Sequence, residues 1–327
     1  DRINQLQSNI VWGQRGNFVD VPTDCPQRDE RLGWAGDANV FFRTAAFNYD
    51  VSLFFDKWLK DLSTEQSLDG NVPHVIPNMQ GMQAGAALWS DCATMIPWYR
   101  YLVYGNTRDL GNQLLSMKMW VDYVRSKCGP NKLWQSGFQY GDWLALDSGN
   151  AESRTGATDK YFVANVFYYV STRIVALAAK AVNDLQMFED YWDRQEGILK
   201  AIRNEYVTAT GRLVSETQTA CALALYFDII PKKYRGRVMD SLINNLAENK
   251  NHLNTGFAGT PFLLFALSEN GAHDLATKLL FNDDYPSWLY AIKHGATTIW
   301  ERWNGILPDG TPYDPAMNSF NHYAYGS

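Results

Sequence analysis

The chain has 327 residues, 46% of them hydrophobic and 20% charged, with a formal net charge of −6. That is enough apolar material for one large core, and an acidic balance without a basic cluster excludes a partner held through phosphate contacts, such as a nucleic acid. The four cysteines, at 25, 92, 128 and 221, form no CxxC or Cys/His spacing. Free, partly buried thiols are therefore expected, rather than disulfides or a zinc site.

Helical periodicity dominates from the first residue. Ile3, Leu6, Ile10 and Val11 recur at three- to four-residue spacing over 1–14. A polar stretch follows, after which Asp37 is placed to cap a helix carrying Phe41, Phe42, Ala45 and Ala46 on one side. Asp50 opens a clear amphipathic run through Val51, Phe54, Phe55, Trp58, Leu59 and Leu62, and a Gly/Pro/Asn-rich loop is expected over 69–83. Further helices are predicted at about 85–104, 107–127, 160–184, 186–208, 217–229, 232–249, 260–270, 272–282 and 286–293. No parallel-strand pattern appears, so a doubly wound sheet or a TIM barrel is not expected, and neither is a membrane span. About twelve antiparallel helices joined by alternating short and long connections read as an all-α fold of hairpins. No linker, repeat or low-complexity segment divides 1–327. The chain opens within a helix and stops without a terminal motif, as a domain excised from a larger chain would.

Between Thr23 and Asp37 lie four carboxylates (Asp24, Asp29, Glu30, Asp37), two arginines (Arg28, Arg31), Trp34 and two glycines. Pro26 and the glycines oppose a helix here, so this is a long structured loop. Like charges raise a carboxyl pKa and arginines lower it, so one of these acids could stay protonated near neutrality, as general-acid catalysis requires. The residues alone do not say which; a solvated turn laced with salt bridges is the plainer alternative.

Aromatic residues make up 14% of the chain, with 12 Trp and 18 Tyr, a supply suited to stacking on sugar rings as well as to a helical core. They recur beside carboxylates. Trp89-Ser90-Asp91 heads a predicted helix, and glycine-framed Asp142-Trp143 suits an exposed loop facing a polyol. Glu301 stands between Trp300 and Trp303, next to Arg302, as a partly desolvated carboxylate or a helix-capping ion pair. Asn321-His322-Tyr323 closes the series. His74, His252, His273 and His294 show no ligand spacing, and the segments 216–219 and 255–261 read as loop-shaping.

The order Asp24-Cys25-Pro26-Gln27-Arg28-Asp29-Glu30-Arg31-Leu32-Gly33-Trp34-Ala35-Gly36-Asp37 resembles the motif of the bacterial α-L-rhamnosidases of glycoside hydrolase family 78. The regions around Trp89, Trp143, Thr297–Trp303 and Asn321–Tyr323 are also similar to that family. The resemblance implies an (α/α)6 barrel, a six-hairpin toroid spanning 1–327, with β-sandwich domains flanking it in the parent chain. It implies inverting hydrolysis of terminal α-L-rhamnose, with Glu30 as general acid and Glu301 as general base, roughly 6.5–9.5 Å apart. By the same resemblance Asp24, Arg28, Trp34, Asp37, Trp89, Trp143 and His322 contact the sugar. No metal or organic cofactor is implied, and the partner is a rhamnosylated glycoside or polysaccharide. Two alternatives remain open at this point: a polysaccharide lyase on a similar helical toroid, using residues such as Asn321-His322-Tyr323, and a non-catalytic sugar-binding module that keeps only the tryptophans.

Overall fold

Twelve α-helices form among the described residues of the computed structural model, which are 1–79, 81, 84–150 and 153–327. They are α1 (Arg2–Asn17), α2 (Ala35–Asn48), α3 (Ser52–Glu65), α4 (Cys92–Tyr104), α5 (Thr107–Lys127), α6 (Lys160–Ala181), α7 (Leu185–Tyr206), α8 (Gln218–Tyr226), α9 (Arg235–Glu248), α10 (Thr260–Glu269), α11 (His273–Phe281) and α12 (Trp288–Lys293). Extended backbone among these residues is confined to isolated bridges. Of the predicted 69–83 loop, Gln80, Met82 and Gln83 lie outside the described residues.

Most predicted helix ends hold within a few residues, and the exceptions have local causes. Residues 85–91 do not join α4, because Leu88 takes a left-handed backbone (φ 67°) and its N–H is held by Asp91 Oδ2 at 2.7 Å. Left-handed Asn183 and Asp228 likewise follow the early ends of α6 and α8. Asp37 does not cap α2: Trp34 occupies that position without a side-chain cap, and Asp37 lies buried in the first turn. Nor does α1 bury its apolar stripe. Its covered face is Leu6, Asn9, Gly13, Gln14 and Asn17, because it meets polar backbone rather than a hydrocarbon surface. Asn9 Nδ2 donates to the Ala296 carbonyl at 2.9 Å, and a Cβ at Gly13 would come 3.1 Å from the His322 carbonyl oxygen.

The helices sort into two compact units, each assembled from separated stretches of chain. The first comprises Asp1–Leu32, Asp142–Thr158 and Ala209–Ser327, and the second Gly33–Gly141 and Asp159–Thr208. In the first unit α8 packs on α9 and α10, α10 on α11, α11 on α12 and α12 on α1. In the second, α6 packs on α4, α5 and α7, and α2 on α4. By length and composition α6 could cross a membrane, contrary to the sequence-based expectation, but 89% of its apolar window is buried. That burial makes it the core helix of its unit.

In each unit a fully buried carboxylate ties loops together. In the second, Asp91 accepts from Trp120 Nε1 at 2.8 Å, Ser171 Oγ at 2.5 Å and the Leu88 amide. In the first, Asp142 accepts from the amides of Gly256 and Ala258, both at 2.8 Å, from Gly259 at 3.2 Å and from the Thr219 hydroxyl. All four cysteines are free, with Cys25, Cys92 and Cys221 buried.

Candidate active site

In the first unit the C-terminal segment folds back onto the charged loop near the N-terminus. Tyr323 donates its hydroxyl to the Pro22 carbonyl at 3.0 Å and meets Phe18 edge-on, and Asn17 Nδ2 reaches Asn321 Oδ1 at 3.1 Å. His322 N–H donates to the Ile299 carbonyl at 2.8 Å, and Glu301 N–H to that of Ser319 at 2.9 Å, so Glu301 and His322 are carried on paired backbone. Across from them Asp24 closes its own loop. Its N–H donates to the Leu32 carbonyl at 3.0 Å, and its Oδ1 accepts the Leu32 N–H at 2.9 Å. Gln27 Nε2 then binds Ser319 Oγ at 2.7 Å, fixing the loop to the C-terminal segment.

This framework divides the loop's charges. Asp29 and Arg31 pair with each other at 3.2 Å in solvent, the plain outcome for exposed charges. The others turn inward. Arg28 Nη2 lies 2.5 Å from Glu30 Oε2 and 3.8 Å from Glu301 Oε2. These two oxygens can thus be no farther apart than those distances laid end to end. Arg28 Nη1 also donates to the Ala316 carbonyl at 3.3 Å, while its Nε is buried without an acceptor. Burial disfavours the Arg28 charge, but its anionic neighbours, Glu301 and Glu30 among them, outweigh it and raise its pKa. Glu301 is only 4% exposed. Trp300 and Trp303 are buried beside it in sequence, and Trp303 stacks on Tyr325 and donates to the Thr255 carbonyl at 2.8 Å. Arg302 faces elsewhere, pairing with Asp314 at 2.9 Å, so the ion pair of Glu301 is with Arg28 rather than with its sequence neighbour.

One residue at this centre stood in the charged motif but was given no role by the sequence reading. Cys25 is fully buried, and its Sγ lies 4.0 Å from Glu301 Oε2. Cys25, Glu301 and His322 bring ligand-type atoms within 4.8 Å of one another, as do Asp24, Cys25 and Glu30. These are the side chains of a metal centre by type, and several of them also have protein partners. His322 Nδ1 accepts the Ala324 N–H at 3.2 Å, Arg28 lies against both glutamates, and burial with nearby Glu301 and Asp24 pushes the Cys25 thiol far up, keeping it protonated.

Trp143 and Asp142 also belong to this unit, and here the structure corrects the sequence reading. Asp142 faces no polyol: it is fully buried, and burial outweighs its donors and pushes its carboxyl up to about 6. The amides that hold it come from the 255–261 turn, which orders that turn around Trp143. The Trp143 carbonyl accepts the Phe257 N–H at 2.9 Å, and the Phe257 ring stands 5.9 Å from His322. Trp143 itself is partly exposed.

The second unit gathers the other three predicted sugar contacts, Trp34, Asp37 and Trp89, around Tyr140. Trp89 stacks on Tyr140 with centroids 4.0 Å apart, and Trp34 meets Tyr140 edge-on at 6.4 Å. Burial and the nearby Asp37 carboxylate push the Tyr140 phenol up, so its hydroxyl stays neutral. That hydroxyl lies 3.1 Å from Nδ1 of buried His74, whose carbonyl accepts the Ala35 N–H at 2.8 Å and so holds the start of α2. Gly36 lets Trp89 in, since any Cβ there would collide with the indole. Tyr140 was missed in the sequence, although it stands two residues before the Asp142-Trp143 pair.

An all-α chain that buries a glutamate beside a second glutamate and a shared arginine has the make-up of a helical-hairpin glycoside hydrolase. The comparison with protein families is specific: the bacterial α-L-rhamnosidase 6 hairpin glycosidase domain matches residues 1–327, and the chain belongs to that family. Its fold class is accordingly the all-α six-hairpin (α/α)6 barrel. It is 40% identical over 326 residues to an α-L-rhamnosidase of Streptomyces avermitilis, covering 99% of this chain and 30% of that protein. It is 41% identical over 335 residues to one from an Alteromonas species, covering 100% of this chain and 36% of that protein. Among solved structures, the S. avermitilis α-L-rhamnosidase complexed with L-rhamnose superposes with a TM-score of 0.92 at 40% identity, over 99% of this chain and 30% of that one. The native enzyme from Aspergillus terreus gives 0.94 at 38% identity, over 99% and 38%. The chain thus spans about a third of the length of these relatives.

Proposed function

We propose that residues 1–327 form the catalytic domain of a longer α-L-rhamnosidase, flanked by β-sandwich domains, which releases terminal α-L-rhamnose from a glycoside or polysaccharide. The observation that carries this reading is the convergence of Glu30 and Glu301 on one arginine, with Glu301 withdrawn from water. Glu30, partly exposed, is the general acid and protonates the leaving glycosidic oxygen. Glu301 is the general base and takes a proton from the attacking water. Asp24, Arg28, Asp37 and His322 bind sugar hydroxyls, and Trp34, Trp89 and Trp143 pack on the ring and its methyl group.

Inversion requires room for a water, at a carboxyl separation of roughly 6.5–9.5 Å, against about 5–5.5 Å for retention. With Arg28 Nη2 at 2.5 and 3.8 Å, the two Oε2 atoms stand closer than the inverting range. In the inverting reading, drawn from the family resemblance, Arg28 shifts to the sugar when substrate binds and lets the carboxylates part. Retention is the second reading, and it needs the two carboxyl groups to stand at about 5–5.5 Å.

The test is hydrolysis of p-nitrophenyl α-L-rhamnoside by the full-length protein, with the released anomer followed by proton NMR. Immediate β-anomer supports inversion by Glu30 and Glu301, and α-anomer means retention. Glu30→Gln and Glu301→Gln are each expected to lower kcat by about 10²–10⁴-fold with rhamnose binding retained. Full activity in either variant would refute its assignment.

A further inference from the structure

The sulfur of Cys25 occupies the centre of the carboxylate cluster, yet the proposed chemistry gives it no part. It lies 4.0 Å from Glu301 Oε2, within 4.8 Å of ligand-type atoms of Asp24 and Glu30, and within the same limit of a His322 ring nitrogen. It is completely buried, between Asp24, which closes the loop, and Pro26. A thiol there has one proton to give, and an acceptor within sulfur hydrogen-bonding distance is the Glu301 carboxylate. A thiolate in its place would face Asp24, Glu30 and Glu301 at once, so the arrangement is stable only with the proton on sulfur.

We propose that Cys25 is a positioning residue for Glu301: its neutral S–H donates to Oε2, orients that carboxylate and favours its ionised form. This rests on the reading of Glu301 as the general base. The charged and titratable groups facing Glu301 are Cys25, Arg28 and Glu30 from the 24–37 loop, and His322 and Tyr325 from the C-terminal segment. Arg28 also favours the anion, but its guanidinium is shared with Glu30 and is assigned to the sugar in the bound state. The thiol is enclosed, and the acceptor in hydrogen-bonding reach of its Sγ is Glu301 Oε2.

A donor to the charged form lowers a carboxyl pKa, so removing it raises that pKa. A base must be ionised, so the acid limb of the rate profile should move to higher pH. In the full-length protein, Cys25→Ala is expected to lower kcat about tenfold, leave KM within about twofold, and move the acid limb of kcat/KM up by about half to one pH unit. Cys25→Ser, which restores a donor on a similar stem, should return the limb towards its original place. Cys25→Thr and Cys25→Val form a second pair of matched shape that differs in the donor, and should differ in the same direction should the alanine variant fold poorly. An acid limb that is the same in donor and non-donor variants, whatever their stability, overturns the proposal. An acid limb that persists unchanged in Glu301→Gln overturns it differently, by showing that Glu301 is not the base. A limb absent from Glu301→Gln but unmoved by Cys25→Ala leaves the base in place and removes only the role of the thiol.

Discussion

Replacing Asp142 should unfold more than one loop. Its two oxygens receive three backbone amides and the Thr219 hydroxyl, and the residue is wholly buried. Asp142→Ala would leave these donors facing a cavity. At about 1–3 kcal/mol for each buried donor left unpaired, four give a loss of at least about 4 kcal/mol, at the large end for single substitutions. Asp142→Asn keeps an acceptor at Oδ1 for Ala258 and Gly259 but sets an NH2 against the Gly256 amide, costing about 2 kcal/mol. The pH dependence supplies a second signature. The carboxyl rises from 3.8 in the unfolded chain to about 6 in the folded one, so between these values the folded state binds more protons. Stability from this group is therefore present below pH 4 and falls as pH rises through 6, by about 3 kcal/mol, and Asp142→Asn should lack that slope. Urea unfolding from pH 4 to 7, read by tryptophan fluorescence, measures both effects. Asp142→Ala within about 1 kcal/mol of the parent would refute this reasoning.

Other perturbations act on the second unit. His74 is buried and its pKa is lowered by burial to about 4 from 6.5. It must fold neutral, so its contribution is lost as pH falls from 6.5 through 4, by about 3 kcal/mol, and His74→Phe should flatten that acid limb of the unfolding free energy. Gly36→Ala should force Trp89 off Tyr140, because the new methyl meets the indole. Overpacking of this kind costs about 1–3 kcal/mol, and rhamnose affinity should fall with it; unchanged affinity by calorimetry would take Trp89 out of the sugar contacts.

The helices were legible in the sequence because their cause is local. Val238, Leu242 and Leu246 mark the buried face of α9, and Asn106 and Asp159 cap α5 and α6 through their own neighbours' amides. Apart from the helix ends, the main misreadings involve partners far along the chain. Asp142 reads as exposed beside its glycine, yet its amide donors stand 114 to 117 residues away. The buried face of α1 is polar because residues near 296 and 322 supply what it binds, and no periodicity within α1 reports that. The charged motif of the loop was legible as a whole. Its division into an exposed Asp29–Arg31 pair and an inward Arg28–Glu30 pair was not, since Ser319 and Ala316 decide which way the loop turns. Cys25 was passed over for the same reason: a lone thiol acquires meaning only from Glu301.

That last contact joins residues 276 positions apart, and the Tyr323–Pro22 bond spans 301. During synthesis the charged loop is made before α2 to α12, and its counterpart after them. The nascent chain can form α2 to α7 and much of their packing while Glu30 and Arg28 have nothing to close upon. The loop would then close in one late step, once residue 322 is free to fold back, and contacts of such long sequence separation form slowly. A ribosome-bound chain halted before residue 299 should therefore be helical while its charged loop stays open, which limited proteolysis of the stalled chain would report.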